Sequence, residues 1–172
     1  MLHAKVIDSK NQKIEIKKAE EFLKSSRFGA LIYFVGTVRN VNDDKKVTGI
    51  TYDSKDSLVI KSFEEIYNEA DEKLNIKDKA VFIEHIKGYV GLEEKSILIG
   101  VGCKHRDQAY VLSRYIIEEI KKRTPIWKKE HYENQESEWL KGTTIEANSW
   151  KYLARKLPQK NFTKIEENLL NK

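Results

Sequence analysis

The stretch "IKKRTPIWKKEH", residues 120–131, gathers five cations, Lys121, Lys122, Arg123, Lys128 and Lys129, around one proline and one tryptophan. Pro125 bends the chain, so the second cationic group can return toward the first. Two ammonium groups about 5 Å apart at an effective dielectric near 20 repel by roughly 3 kcal/mol. Such a pair favours an anionic guest. Shedding one proton also relieves the repulsion, which frees an amine to act as base, acid or nucleophile. Lys121 and Lys128 are the candidates for that work. The plainer use of Lys121, Lys122 and Arg123 is to complement the negative end of a helix dipole.

Two other places could hold the same anion. In "KHRD", residues 104–107, His105 and Arg106 stand where a strand hands over to a helix, a common location for phosphate or carboxylate binding. In "GTVRN", residues 36–40, Arg39 ends a strand, and Gly36 permits close backbone approach. Arg39, His105, Arg106, Lys121 and Lys128 are therefore expected on strand ends and turns that converge on one anionic pocket.

The elements that must position these residues follow from periodicity. "IKKAEEFLKSS" (16–26) carries Ile16, Ala19, Phe22 and Leu23 at helical spacing, with Gly29 suited to a cap. "ALIYFVGTVRN" (30–40) is too rich in β-branched and aromatic residues for a surface helix and predicts a buried strand. "VTGITYDS" predicts its hairpin partner across the polar turn "VNDDKK". Leu58, Ile60, Phe63, Ile66, Tyr67, Ala70 and Leu74 mark one face of a helix over 57–74. "KAVFIEHI" and "KSILIGVGCKH" predict two further strands, separated by a turn containing Gly88 and Gly91. A last helix over about 107–123, capped by Asp107, buries Ala109, Leu112, Ile116 and Ile120, and Pro125 stops it. "WKKEHYENQESEWLKG" mixes a short strand with loop.

At 172 residues the chain fits one domain that removes roughly 70% of its unfolded surface from water. Residues 1–148 are assigned to that domain. Residues 149–172 form a basic C-terminal extension, partly helical around Trp150, Leu153 and Leu157, or mobile. No stretch approaches the ~20 apolar residues that span a bilayer, and the N-terminus has no signal-type apolar core, so a cytoplasmic location is expected. Cys103 is the single cysteine, in keeping with a reducing compartment.

The net charge of +5 is local: residues 1–119 carry 20 Lys/Arg against 20 Asp/Glu, while 120–131 carry five against one. This leaves one rival of a different class, a nucleic-acid-binding α/β domain using segments 120–131 and 149–172. Its binding would weaken steeply with salt.

The motifs resemble those of the large, catalytic subunits of molybdopterin synthase. The resemblance rests on "GALIYFVGTVRN", on "HR" opening a helix after a hydrophobic strand, and on "IKKRTPIWKKEHY" followed by Trp139, and it runs from about residue 29 to 142. It implies an α/β (α+β) fold, an α/β-hammerhead-like domain whose mixed or antiparallel sheet is packed by helices. It also implies a sulfurtransferase of molybdenum cofactor biosynthesis. In that family cyclic pyranopterin monophosphate receives two sulfurs, each carried as a thiocarboxylate on the C-terminal Gly-Gly of a small ubiquitin-like partner. Two large subunits form a homodimer inside a heterotetramer, and neither a cofactor nor a metal is implied.

Carried over by residue, the resemblance makes Lys121 and Lys128 catalytic. It makes Thr37, Val38, Arg39, His105, Arg106, Lys129 and Glu130 substrate-binding. Where family members have a Tyr-Pro step after the second strand this chain has "YDSKDSL", and Glu93 stands for the second glycine of the 88–94 turn. Cys103, in a hydrophobic strand, is expected to be a small core residue rather than a persulfide carrier.

Overall fold

The computed structural model describes residues 1–133 and 136–140, so the expectation for 149–172 lies outside the described residues. Its elements run β1 (Leu2–Asp8), α1 (Ile16–Leu23), β2 (Ala30–Thr37), β3 (Val41–Asn42), β4 (Lys45–Ser54), α2 (Asp56–Leu74), β5 (Lys79–Gly91), β6 (Lys95–Cys103), α3 (Arg106–Arg123), β7 (Ile126–Tyr132) and β8 (Glu138–Leu140). The strands form a mixed sheet of order β2-β6-β5-β4-β7-β8, with β1 parallel to β5 and β3 antiparallel to β4. The fold is the expected α+β class.

Strand β5 organises the sheet, because its neighbours change along its length. Lys79–His85 pairs with β6, and β1 lies along Val81–Lys87 on the other side. From Gly88 to Gly91 the neighbour is β4. The handover falls at Gly88, whose φ of +100° suits glycine, and a Cβ there would stand 2.4 Å from the Ser9 hydroxyl. The expected break at "KGYVGLEE" is thus shorter than the segment: β5 bends at Gly88 and continues to Gly91, and residues 92–94 make the turn into β6. Glu93, at the position the resemblance gives to glycine, has φ +64°, a conformation that glycine adopts without strain.

Alternation along the strands distributes two cores. Val81, Ile83, Ile97, Ile99, Val101 and Cys103 face α2 and α3 and pack on Phe63, Ile66, Leu112 and Ile116. Phe82 and Leu98 pack with Ala19 of α1 on the opposite face. Helix α1 comes close at Gly100, where a Cβ would meet Leu23 at 2.9 Å. The four predicted core residues of α3 are buried. Helix α3 ends before Pro125, with the Thr124 N–H donating to the Ile120 carbonyl at 3.0 Å. Across the two helices, Glu69 accepts from Arg123 at 2.7 and 2.9 Å and from Lys73 at 2.7 Å, which holds its carboxyl down at about 2.

Several local expectations are corrected. Among the described residues strand β2 is half-buried and pairs only with β6; β4 forms its tight hairpin with the two-residue β3. Hydrophobic pattern shows that a strand is covered, not which strand lies beside it. His105, not Asp107, is the N-cap of α3, and α1 ends at Leu23 through an extended Lys24 rather than at Gly29. In α2 the inward residue is Val59, while Leu58 is 47% exposed.

One buried group makes stability depend on pH. His85 is enclosed with Nδ1 at 2.8 Å from the Ile86 carbonyl and the Tyr52 ring edge-on at 5.0 Å. Burial pushes its imidazole from 6.5 down to about 4. Between those values the unfolded chain takes up a proton that the folded chain refuses, so stability falls as pH drops from 6.5 to 4. The loss is on the order of 3 kcal/mol at about 1.4 per pH unit. Urea titrations across that range should record it, and His85→Leu should lose this part of the slope whatever its absolute stability.

Candidate active site

The site is built around β7. This strand lies between β4 and β8, with Lys128 opposite Tyr52 and Leu140, and Glu130 opposite Ile50 and Glu138. Period-two alternation puts Ile126, Lys128, Glu130 and Tyr132 on one face, and Ile126 anchors that face on the α2/α3 core. Trp127, Lys129 and His131 fall on the other, where the Lys129 ammonium lies 5.9 Å over the Trp139 ring and His131 Nε2 is 2.7 Å from Thr51 Oγ1.

Glu130 is the hub, at 2% exposure. One carboxylate oxygen accepts from Asn42 Nδ2 at 3.0 Å and from the Tyr132 hydroxyl at 2.9 Å, and the other from Lys128 Nζ at 3.5 Å. Asn42 Oδ1 in turn accepts from Arg39 at 2.6 Å. A continuous polar path therefore runs from Arg39 through Asn42 and Glu130 to Lys128. A buried carboxylate is tolerated only when its lone pairs are filled this way.

Arg39 is delivered to that path by its neighbours. Val38 is 2% exposed and packs into the α1-side core. Its N–H donates to the Glu94 carbonyl at 3.2 Å, and its own carbonyl accepts from Glu93 at 2.8 Å. With its side chain in the core and its backbone paired, Val38 clamps the turn. Thr37 and Arg39 are exposed on either side. Glu130 is likewise filled by protein donors, and Lys129 points away from Lys128.

The expected convergence is only partly met within one chain. Thr37 pairs with Lys95 at the start of β6, whereas His105 and Arg106 follow Cys103 at its end. The nine-residue strand between them is about 26 Å long. His105 and Arg106 are exposed at the start of α3 and make no capping side-chain bond. Lys121 is exposed in the last turn of α3, at the end of the helix that leads into β7. Among the described residues it has no ion pair, while Lys122 and Arg123 are engaged by Glu119 and Glu69. Lys128 is paired with Glu130, its ammonium 3.5 Å from the carboxylate.

Sequence reasoning missed Asn42 and Tyr132. Asn42 read as one polar residue of a turn, and its contact with Glu130 spans 88 positions. A cleft of about 260 Å³ beside the Val38 clamp, lined by Ser9, Lys13, Tyr89 and Lys95 among others, includes none of the predicted residues. Among the described residues no group of three metal-ligating side chains is assembled. Cys103 is fully enclosed, and burial pushes its thiol up to about 11. Cys103→Ser should accordingly keep most of the activity that the resemblance implies, as turnover assays would record, and iodoacetamide should react slowly with the folded chain at pH 8.

Comparison with known proteins decides the family. The family model described as "MoaE protein" matches residues 9–123. The chain belongs to the MoaE family. It is 42% identical over 132 residues to a molybdopterin synthase catalytic subunit of Synechococcus elongatus, covering 77% of this chain and 79% of that one. The crystal structure of molybdopterin synthase from Staphylococcus aureus superposes with a TM-score of 0.72 at 29% identity, over 79% of this chain and 95% of the other. A complex of subunits 1 and 2 of the molybdopterin-converting factor from Helicobacter pylori gives 0.63 at 26% identity, over 81% and 90%. The activity is that of a molybdopterin synthase catalytic subunit, a sulfur-transferring enzyme of molybdenum cofactor biosynthesis. The MoaE match takes in Thr37, Arg39, His105, Arg106 and Lys121 and stops before Lys128 and Glu130. Among the described residues no helix is long and apolar enough to cross a membrane.

Proposed function

We propose that this MoaE-family chain takes sulfur from the C-terminal thiocarboxylate of a small ubiquitin-like carrier and installs it on cyclic pyranopterin monophosphate, twice per dithiolene. The single observation that carries the reading is the path Arg39–Asn42–Glu130–Lys128, which fixes a guanidinium suited to phosphate and an ammonium suited to a thiocarboxylate in one polar array. Lys128 and Lys121 orient the thiocarboxylate and exchange protons as its sulfur attacks the pterin side chain in place of a C–O bond, after which water cleaves the acyl–sulfur bond and releases the carrier as its carboxylate. Arg39, His105 and Arg106 grip the phosphate-bearing part of the substrate, with Thr37 beside Arg39. The Helicobacter pylori complex of two subunits supports a small protein partner. The enclosed thiol of Cys103 accords with a carrier that brings its own sulfur and with a cytoplasmic location.

The distance between Arg39 and the His105–Arg106 pair calls for a second copy of the chain. Strand β2 ends the sheet order. Antiparallel pairing of two β2 strands about a two-fold axis would bring Thr37 of one copy beside Ala30 of the other. Ala30 is the register partner of Cys103, two residues before His105. Each pocket of the homodimer would then combine Arg39 and Lys128 of one copy with His105 and Arg106 of the other.

The test is reconstitution. The purified chain, a thiocarboxylated carrier and cyclic pyranopterin monophosphate should yield the dithiolene product; no product, with both components shown to be competent alongside another MoaE-family enzyme, would reject the reading. The nucleic-acid alternative is disfavoured because Lys122, Arg123 and Lys128 already face carboxylates. Tight, salt-sensitive binding to DNA or RNA in place of turnover would restore it.

A further inference from the structure

We propose that Asn42 is a positioning residue that couples the substrate-gripping Arg39 to the sulfur-handling Lys128 through Glu130; the functional half of this rests on the sulfur-transfer reading. The chemistry of the three side chains leaves little choice. A carboxylate only accepts hydrogen bonds and a guanidinium only donates them. A neutral group standing between the two must therefore donate on one side and accept on the other, and a primary amide does so. Asn42 turns Nδ2 to Glu130 at 3.0 Å and Oδ1 to Arg39 at 2.6 Å.

The backbone makes this placement specific. Asn42 is the last residue of β3, and Asp43 and Asp44 follow with φ of 47° and 59° before β4 begins. Two consecutive left-handed residues define a tight hairpin turn with little freedom. It sets Asn42 opposite Lys45, and the Lys45 ammonium lies 5.2 Å over the ring of Tyr132, whose hydroxyl bonds the same carboxylate. Among the described residues the charged and titratable groups facing Glu130 are Lys128 and Tyr132 from β7, Tyr52 from β4, and Arg39 through Asn42, and its register partner on β8 is Glu138.

Substitutions of similar shape and opposite hydrogen-bonding capacity test the idea. Asn42→Leu fills the space and breaks both bonds. Asn42→Asp keeps an acceptor for Arg39 but sets a second carboxylate against Glu130. Two carboxylates at that distance favour sharing a proton. Once protonated, the introduced carboxyl group would present an O–H to Glu130 and a carbonyl to Arg39, reproducing the amide.

The expected result for Asn42→Leu is a loss of at least tenfold in kcat/KM for the pterin substrate between pH 6 and 8. For Asn42→Asp the deficit relative to wild type should shrink several-fold as pH falls from 8 to 6. Thermal midpoints of the same proteins without substrate should follow, with the Asn42→Asp deficit narrowing at low pH and the Asn42→Leu deficit constant. Wild-type kcat/KM for Asn42→Leu would overturn the proposal, and so would equal, pH-independent deficits in both variants. If the wild-type chain makes no dithiolene but the midpoints behave as stated, the sulfur-transfer reading fails while the coupling stands. Midpoints that ignore pH in an active enzyme remove the coupling alone.

Discussion

Lys128→Ala should lower the rate of sulfur transfer by about a thousandfold, the scale typical for removing a proton-transferring or charge-stabilising group from a reacting centre. The geometry makes the expectation sharp. The Lys128 side chain is 39% exposed, so one end reaches the site while the strand holds the other. Removing it leaves one Glu130 oxygen without its Lys128 donor while Asn42 and Tyr132 still bind the other, so the cost to stability should be about 1–3 kcal/mol. Activity should therefore collapse in a chain that still folds and still binds its carrier. Single-turnover measurements with thiocarboxylated carrier would separate the chemical step from binding. Lys121→Ala is a cleaner companion still, because its ammonium has no ion pair to lose among the described residues. Near-wild-type transfer in both variants would reject the catalytic roles.

The second large effect concerns the split between the two ends of β6. Arg39→Ala and His105→Ala should each reduce turnover by about a hundredfold, a scale set by loss of a charge-assisted contact to substrate in each pocket. Mixed as unfolded chains and refolded together, the two variants should recover activity. Statistical pairing makes half the dimers hybrid, and each hybrid holds one pocket with neither mutation, so recovery should approach about a quarter of wild type. Recovery requires that Arg39 and His105 of one pocket come from different copies. If they belong to one chain, hybrids carry one defect in each pocket and the mixture stays as inactive as its parts.

How far the sequence foretold this differs by element and for physical reasons. Helices α2 and α3 were legible because the helical period places their core residues within a few positions of one another, and Pro125 marks where α3 must end. The face of α2 was misjudged at one residue, Leu58 for Val59. Strands β5 and β6 were visible as apolar runs, but not that β5 changes neighbours at Gly88, since pairing partners lie far away in sequence. Strand β1 went unread: with His3 and Lys5 inside "LHAKVID", its pattern is too polar to declare a strand, and it is held by parallel pairing to β5. The candidate site shows the same division. Charge clustering drew attention to Lys121 and Lys128, and a strand end to Arg39. The residues that tie them together could not announce themselves, because Asn42 has meaning only once the hairpin of β3 and β4 folds it onto a strand near the far end of the described chain.

The most direct test of the central claim is a single-turnover reaction with isotopically labelled sulfur on the carrier thiocarboxylate. The label is expected to leave the carrier and appear in the pterin dithiolene, with none found on Cys103 at any time, and to remain on the carrier when Lys121 and Lys128 are both replaced by alanine. Label trapped on the chain itself, or transfer that proceeds undiminished without those two lysines, would contradict the account.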